Sequence, residues 1–356
     1  MLKEKSLIVV ASLALLIGWS AVAFGQTSGK KADVRWKFST FVPSTHFTIP
    51  PTEKLIVELN EASGGRVGVD LYHSAVLGTT TEHYDLIREG TAQMGGVCAG
   101  YNPDRFQMSL FSALPFSADD AQTAGKINQE FIKKNLINEE WKEVKLCFAW
   151  SITPSQIQSN KKLSTVEDFK GLRITPGSGL FAMIWEAIGA KGVNIPLPEA
   201  PMALERGTID ATALNWSGAS GFKFHEVTKY PYDIGITGGS ICFIFANRDA
   251  WNKLPPDVQT AWEKIFEQKP MPWSEMYDEY DEKGRQAWRN LGKEVTQFPA
   301  AEKAKLAEKL LPVWQAWIQK QEGRGKPAKE LYKTYVEVMK REGKPVLAKV
   351  PGLYQE

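Results

Sequence analysis

The sequence predicts an α/β protein in two lobes, with a ligand cleft between them and a helical C-terminal third that includes a long connecting helix. Three observations carry this. Short alternating or apolar runs are separated by helix-like stretches that stop at glycine, the order expected of parallel strands joined by helical crossovers. That order occurs twice, before and after Leu146. The composition is globular: of 356 residues, 43% are hydrophobic and 24% charged, which excludes a disordered or collagen-like chain.

The first 25 residues are set apart. Lys3 and Lys5 precede an apolar run from Leu7 to Ala23, and small-residue patterns follow at Ala21-x-Ala23 and Ala23-x-Gly25. This reads as a cleaved secretory signal peptide over 1–25, since the run is short for a membrane span. Residues 34–41 then alternate as a strand. Residues 50–62 form a helix with Pro51 in its first turn and Gly64-Gly65 as its stop. A strand at 67–72, a helix at 80–89 closed by Gly90, and a short buried strand at 93–99 complete the first block.

The second block opens with strands at 147–151 and 156–159, then a turn and strand over 166–174. The helix at 179–188 places Phe181, Ile184, Trp185 and Ile188 on one face. A helix at 200–206 ends at Gly207, and strands follow at 209–214 and 241–246. Helices are predicted at 256–268, 273–291, 300–321 and 328–341. The expected division is lobe I from 26–150 with 241–272, lobe II from 151–240 with 292–356, and a long helix at 273–291 spanning both.

Catalytic patterns are missing from the sequence. It contains no HExxH, P-loop or GxGxxG, and Gly218-Ala-Ser-Gly221 has the wrong spacing for a nucleophile elbow. No catalytic residue and no cofactor is assigned, and the four histidines lack zinc-site spacing. Lys+Arg 43 against Asp+Glu 41 gives +2, which offers no charge argument for a nucleic-acid partner. The mean hydropathy of −0.28 excludes a polytopic membrane protein. The acidic run 275–282 reads as a solvated helix face, and the paired glycines at 238–239 as a tight turn. Cys98, Cys147 and Cys242 lie in apolar segments. Buried free thiols are the preferred reading, with one disulfide and a leftover thiol as the alternative.

Seven stretches narrow the reading. They are Asn60-Glu-Ala-Ser-Gly-Gly-Arg66 followed by Val69-Asp-Leu-Tyr72 and Leu77-Gly78; Leu86-Ile-Arg-Glu-Gly-Thr-Ala-Gln-Met94; Leu114-Pro-Phe116; Glu167-Asp-Phe-Lys-Gly-Leu-Arg-Ile174; Ala203-Leu-Glu-Arg-Gly-Thr-Ile-Asp-Ala211; His225-Glu-Val-Thr-Lys-Tyr230; and Leu254-Pro-Pro-Asp-Val258. In this order, over the whole mature chain, they resemble the DctP-type solute-binding proteins of TRAP (tripartite ATP-independent periplasmic) transporters. The resemblance implies a periplasmic receptor of the two-lobed periplasmic-binding-protein-like fold. It traps a small organic solute, usually an organic acid, and docks on small and large membrane permease subunits driven by an ion gradient. Crossings between lobes are expected near 150–153 and 239–244. A sensor, or a solute-modifying enzyme on the same fold, is the alternative; His46 is the one candidate acid or base. A monomer is expected, with the Trp-rich stretch 311–317 either packing on its own lobe or joining a partner.

At the site, the resemblance implies an Arg that pairs with a solute carboxylate. Its position is Thr175 here. Arg173 lies two residues earlier on the same strand face and reads as the family's ordinary surface cation. A second Arg, seen in sialic-acid-binding members, falls on Ser155. Burying a carboxylate without a cation is costly. The solute is therefore uncharged, or anionic and held by Ser155, Gln156, Thr175 and backbone N–H groups, or cationic over aromatic faces. Further positions carry over to Phe41, to Cys98, and to Asn215 with its neighbour Trp216. Trp150 and Phe243 on the crossing strands, Tyr101, and His46 after the first strand complete the set. Phe41, Tyr101, Trp150, Trp216 and Phe243 together suit a solute with an apolar or ring-shaped body.

Overall fold

The computed structural model describes residues 32–177 and 179–355, so the predicted signal peptide lies outside the described residues. The chain begins with β1 (Val34–Ser39), α1 (Ile49–Ala62), β2 (Val67–Tyr72), α2 (His83–Arg88) and β3 (Met94–Cys98). β1 pairs in parallel with both β2 and β3, as the helical crossovers require. Alternation sets its faces: Trp36 and Phe38 are buried, while Arg35 on the other face meets Asp70 of β2. α3 (Ala121–Lys133) and β4 (Val144–Ser151) follow. The sequence reading missed α3. Its buried face mixes small and polar residues, such as Ala121, Ala124 and Asn128, with only two large apolar ones, Ile127 and Phe131. Asp120 caps it by accepting from Thr123 N at 2.6 Å.

The middle of the chain forms β5 (Gln156–Ser159), β6 (Arg173–Thr175), α4 (Gly179–Ala187), β7 (Lys191–Gly192) and α5 (Ala200–Glu205). Next come β8 (Ala211–Leu214), α6 (Trp216–Gly221), α7 (Phe224–Val227) and β9 (Tyr230–Asp233). The chain then returns through β10 (Ile241–Asn247), α8 (Arg248–Asn252), α9 (Pro256–Phe266) and α10 (Pro270–Asn290). It ends with β11 (Thr296–Gln297), α11 (Ala300–Glu322) and α12 (Ala328–Arg341).

Two sheets result, ordered β2-β1-β3-β10-β4 and β11-β9-β5-β8-β6-β7. β10 returns antiparallel between β3 and β4, and all seven of its residues are buried. Two extended segments, 152–155 and 234–240, pass between the sheets, and they pair: Ile152 N donates to Ser240 O and Ile236 N to Ser155 O. Gly238 and Gly239 make this contact possible. A Cβ on Gly239 would run into the Ile152 carbonyl, and one on Gly238 into Ser117. The glycine pair thus marks a close backbone approach, not the tight turn expected.

α10 bridges the two sheets. Near its start, Trp273 packs on Phe148 and Trp150, and Ser274 Oγ accepts from Ser151 N. Asp278 accepts from Ala121 N and Gln122 N of α3. Further on, Gly284 lies flat against the Trp216 backbone, and Trp288 Nε1 donates to Thr228 Oγ1. Helical spacing therefore turns Tyr277, Asp281, Gly284 and Trp288 inward. The acidic run is thus not simply a solvated face. α11 packs on α4 and α12 on α3. Trp314 and Trp317 are buried within the chain's own core, with Trp314 Nε1 donating to Pro115 O.

Cys98 and Cys242 sit opposite each other on β3 and β10, with Cα atoms 4.0 Å apart, and form a disulfide. The free-thiol expectation is corrected for these two, because strand pairing brings together segments far apart in sequence. Cys147 is free, and burial pushes its thiol pKa far up. No helix among the described residues is long and apolar enough to cross a membrane.

Candidate functional site

The first sheet and α10 build an aromatic surface. Phe41 lies just past β1, edge-on to Tyr101 at 5.2 Å and to His83 at 5.6 Å. His83 is fully buried. Its Nδ1 donates to Thr79 O at 2.7 Å, so Nε2 accepts from Ser39 Oγ at 3.0 Å. That fixes the ring against which Phe41 rests. Tyr101 follows β3 in a short turn, and burial raises its hydroxyl pKa to about 12, so it stays a neutral donor. Tyr277 of α10 lies beside it and meets the Trp150 indole.

His46 stands on the loop after β1. Thr48 N donates to its Nδ1 at 3.3 Å, which leaves the proton on Nε2. Burial lowers its pKa to about 4, so the ring is neutral. It stacks on Phe47 at 4.5 Å, and Phe47 stacks on Tyr280 at 4.4 Å. A Cβ on Gly221 would sit 3.8 Å from the His46 ring, so this loop reaches α6 beyond the second sheet. The structure thus brings Phe41, His46, Tyr101 and Trp150 together. It adds Phe47, Tyr277 and Tyr280, which the sequence reading missed; the spacing of Tyr277 and Tyr280 within the acidic run was the available signal. Cys98, one turn before Tyr101, has no thiol to offer.

The second sheet contributes polar groups. Asn215 follows β8 as the N-cap residue of α6, and its Nδ2 donates to Thr153 Oγ1 at 3.0 Å and Ser217 Oγ at 2.9 Å. Asp281 of α10 is 3% exposed and accepts from Ser217 N at 2.9 Å. Burial drives its carboxyl pKa up to about 7, against the opposing pull of the Ser217 N–H and the neighbouring Thr153 hydroxyl. Thr175 ends β6, almost fully buried, with its Oγ1 3.5 Å from Ile195 O. Ser155 is tied into the crossing by its backbone, donating to Thr237 Oγ1 at 3.2 Å.

Four predicted residues are engaged by other groups or buried in the core. Arg173 donates to Asp210 from Nε at 3.0 Å and Nη2 at 2.8 Å, and Lys161 adds a second cation at 3.2 Å. The Arg173 side chain holds the Asp210 carboxyl far below its usual range, so the guanidinium is already engaged. Gln156 Oε1 accepts from Ile234 N and Gly235 N, both at 2.7 Å. Its side chain lines, with Thr153 and Asp281, a polar cavity of about 450 Å3 walled by α3, α10 and the C-terminal tail. Phe243 is wholly buried, stacked on Phe106 at 5.2 Å and Phe245 at 4.9 Å. Both faces of β10 are covered, so its alternation could not say which face is core. Trp216 is also wholly buried, edge-on to Trp288 at 5.1 Å, because Gly284 lets α10 press onto α6.

A family model described as bacterial extracellular solute-binding protein, family 7 (DctP) matches residues 38–321. The chain belongs to this family. Family 7 receptors are periplasmic proteins that bind small organic ligands and work with TRAP membrane permease subunits; they are not enzymes. The chain is 26% identical to the C4-dicarboxylate-binding periplasmic protein DctP of Rhodobacter capsulatus, over 85% of this chain and 92% of that one. Among solved structures, a TRAP solute-binding protein of Rhodoferax ferrireducens with copurified benzoate superposes with a TM-score of 0.80. Identity is 24%, over 87% of this chain and 98% of that one. A marine-metagenome TRAP protein specific for aromatic acids also reaches 0.80, at 21% identity over 88% and 100%. These likenesses show the two-lobed α/β fold.

For a family 7 receptor the division of labour is chemically simple. Rings on one side offer area, and hydroxyls and an amide on the other offer direction. Among the described residues, no group of His, Cys, Asp and Glu could hold a metal ion.

Proposed function

We propose that this receptor captures a small organic solute with an aromatic or apolar body, held between the lobes by neutral donors instead of an arginine clamp. One observation supports the reading: Arg173, the guanidinium nearest to Thr175, where the resemblance puts the clamp, is engaged by Asp210. The rings of Phe41, Tyr101 and Trp150 support an apolar solute body. Relatives that bind benzoate and other aromatic acids point the same way. Residues 1–25 direct export and are removed, and the mature receptor works as a monomer that delivers its solute to the permease pair.

The test is a thermal-shift comparison of benzoate, benzamide and benzyl alcohol on the mature protein. A ligand at 100 times its Kd stabilises by about 2.7 kcal/mol, a shift of a few degrees for a chain of this size. Shifts by any of the three that persist in Arg173→Ala support the reading. A benzoate-only shift that disappears in Arg173→Ala overturns it.

A further inference from the structure

The loop after β1 holds an imidazole whose proton is fixed from one side. A backbone N–H can only donate, so the 3.3 Å contact from Thr48 N makes His46 Nδ1 an acceptor. The Thr48 hydroxyl, 2.8 Å from the same nitrogen, must then donate as well. The ring is neutral and carries its proton on Nε2. Its only lone pair is taken by Thr48, so none is left to receive a proton from a substrate. The candidate base of the sequence is thus a hydrogen-bond donor.

Packing decides where that donor stands. Phe47 stacks on the imidazole at 4.5 Å, the stack continues onto Tyr280 at 4.4 Å, and Tyr277 meets Phe47 edge-on at 5.0 Å. Lys283 lies 4.0 Å above the Tyr280 ring. The rings tie the loop to α10, while an edge of the imidazole turns to α6. A Cβ on Gly221 would lie 3.8 Å from His46 Cδ2, the ring carbon bonded to Nε2. Nε2 therefore stands in the gap between the two sides of the cleft, and no group among the described residues accepts its N–H.

We propose that His46 is a specificity-determining residue of the solute site: its Nε2–H donates to an oxygen acceptor carried by the solute. This rests on the reading of the cleft as a site of neutral donors. A neutral N–H asks for a lone pair and not for a charge, so a carboxamide, a ketone and a carboxylate all qualify. A hydrocarbon of the same shape leaves the N–H facing an apolar group, and is rejected for that reason. The loop thus adds direction to the side of the cleft that otherwise offers area.

The experiment reads the imidazole nitrogens of 15N-histidine-labelled mature protein at neutral pH, with His46 assigned by its loss in His46→Gln. Before any probe is added, the ring should be a single tautomer protonated on Nε2. A ring protonated on Nδ1, or exchanging between the two, overturns the proposal. Three probes then separate head from ring: acetamide carries the acceptor alone, toluene the ring alone, and benzamide both. The Nε2–H resonance should move downfield with acetamide and with benzamide, and stay in place with toluene. No downfield movement with either amide, or an equal one with toluene, overturns the proposal, even where benzamide raises the melting temperature. Movement with acetamide that benzamide does not match at lower concentration breaks the aromatic reading and leaves the donor standing. His46→Gln keeps an N–H at similar reach and should hold benzamide affinity within about threefold, while His46→Leu should weaken benzamide about tenfold and leave toluene unchanged. Equal losses in both variants, or a loss for toluene as large as that for benzamide, overturn the proposal.

Discussion

The two sides of the cleft are built from different chemistry. The first-sheet side is a surface of rings, packed on Trp273 and backed by the Cys98–Cys242 bond. The second-sheet side is a set of small polar side chains hydrogen-bonded to one another and to α10. Ring burial stabilises in proportion to area and is indifferent to orientation. A hydrogen-bonded cluster adds little net stability but selects geometry, because a mismatched partner leaves a buried group unpaired. The contrast teaches that substitutions on the ring side should move stability, and those on the polar side should move selectivity.

The largest test is at the seam between them. Gly239→Ala drives a methyl into the Ile152 carbonyl and should separate the crossing segments. We expect a loss of roughly 3 kcal/mol, read by urea unfolding. A variant within 0.5 kcal/mol of wild type, on the order of a neutral surface change, would remove the seam from the account. Trp150→Ala, on the ring side, should cost about 3 kcal/mol or more in the same assay. A variant that keeps its midpoint and loses only solute affinity would show that Trp150 belongs with the selective side.

Asn215→Ala should lower solute affinity about tenfold, the order of one or two lost hydrogen bonds. Isothermal titration with whichever aromatic probe binds would read it. Stability lost without affinity would reverse the assignment of sides. The next effect is pH dependence. The folded pKa of Asp281, about 7, lies above its ordinary 3.8. The folded state thus holds a proton that the unfolded chain has released. The associated stability is full below the ordinary value and falls as pH rises through 7. Glu140, also buried and raised to about 7, acts with the same sign. Asp281→Asn should therefore flatten part of the decline in melting temperature between pH 4 and 8; an unchanged slope would count against its burial. The smallest effect is Arg173→Ala. Its contact with Asp210 is partly exposed, so stability should change by less than about 1 kcal/mol. Solute affinity should stay within twofold.

The fold was readable where pattern meets burial on one face. β1 alternates, α1 carries a single apolar stripe, and glycines stop both helices of the first block. It was unreadable where the packing face is mostly small and polar, with few large apolar residues, as in α3, or where both faces are covered, as in β10. The same limit shaped the site. Phe41, His46 and Tyr101 lie on loops that leave strand ends, and spacing alone placed them near one another. Phe243 and Trp216 went to the core because composition cannot tell a ring facing a cleft from one facing a helix. Tyr277 and Asp281 were hidden among carboxylates, where only helical phase separates a wetted side chain from an interior one.

The Cys98–Cys242 bond also has a topological consequence. It closes a covalent circle with a sequence separation of 144, and that circle contains α3, β4 and every strand from β5 to β9. Five of the six strands of the second sheet therefore lie on a pendant whose outgoing and returning strands are riveted at one point. An unfolded pendant of this length remains tethered, and the entropy it forgoes corresponds to about 5 kcal/mol. Losing the second lobe's order need not scatter its two ends, so refolding starts from a chain that is already gathered at the base of the cleft.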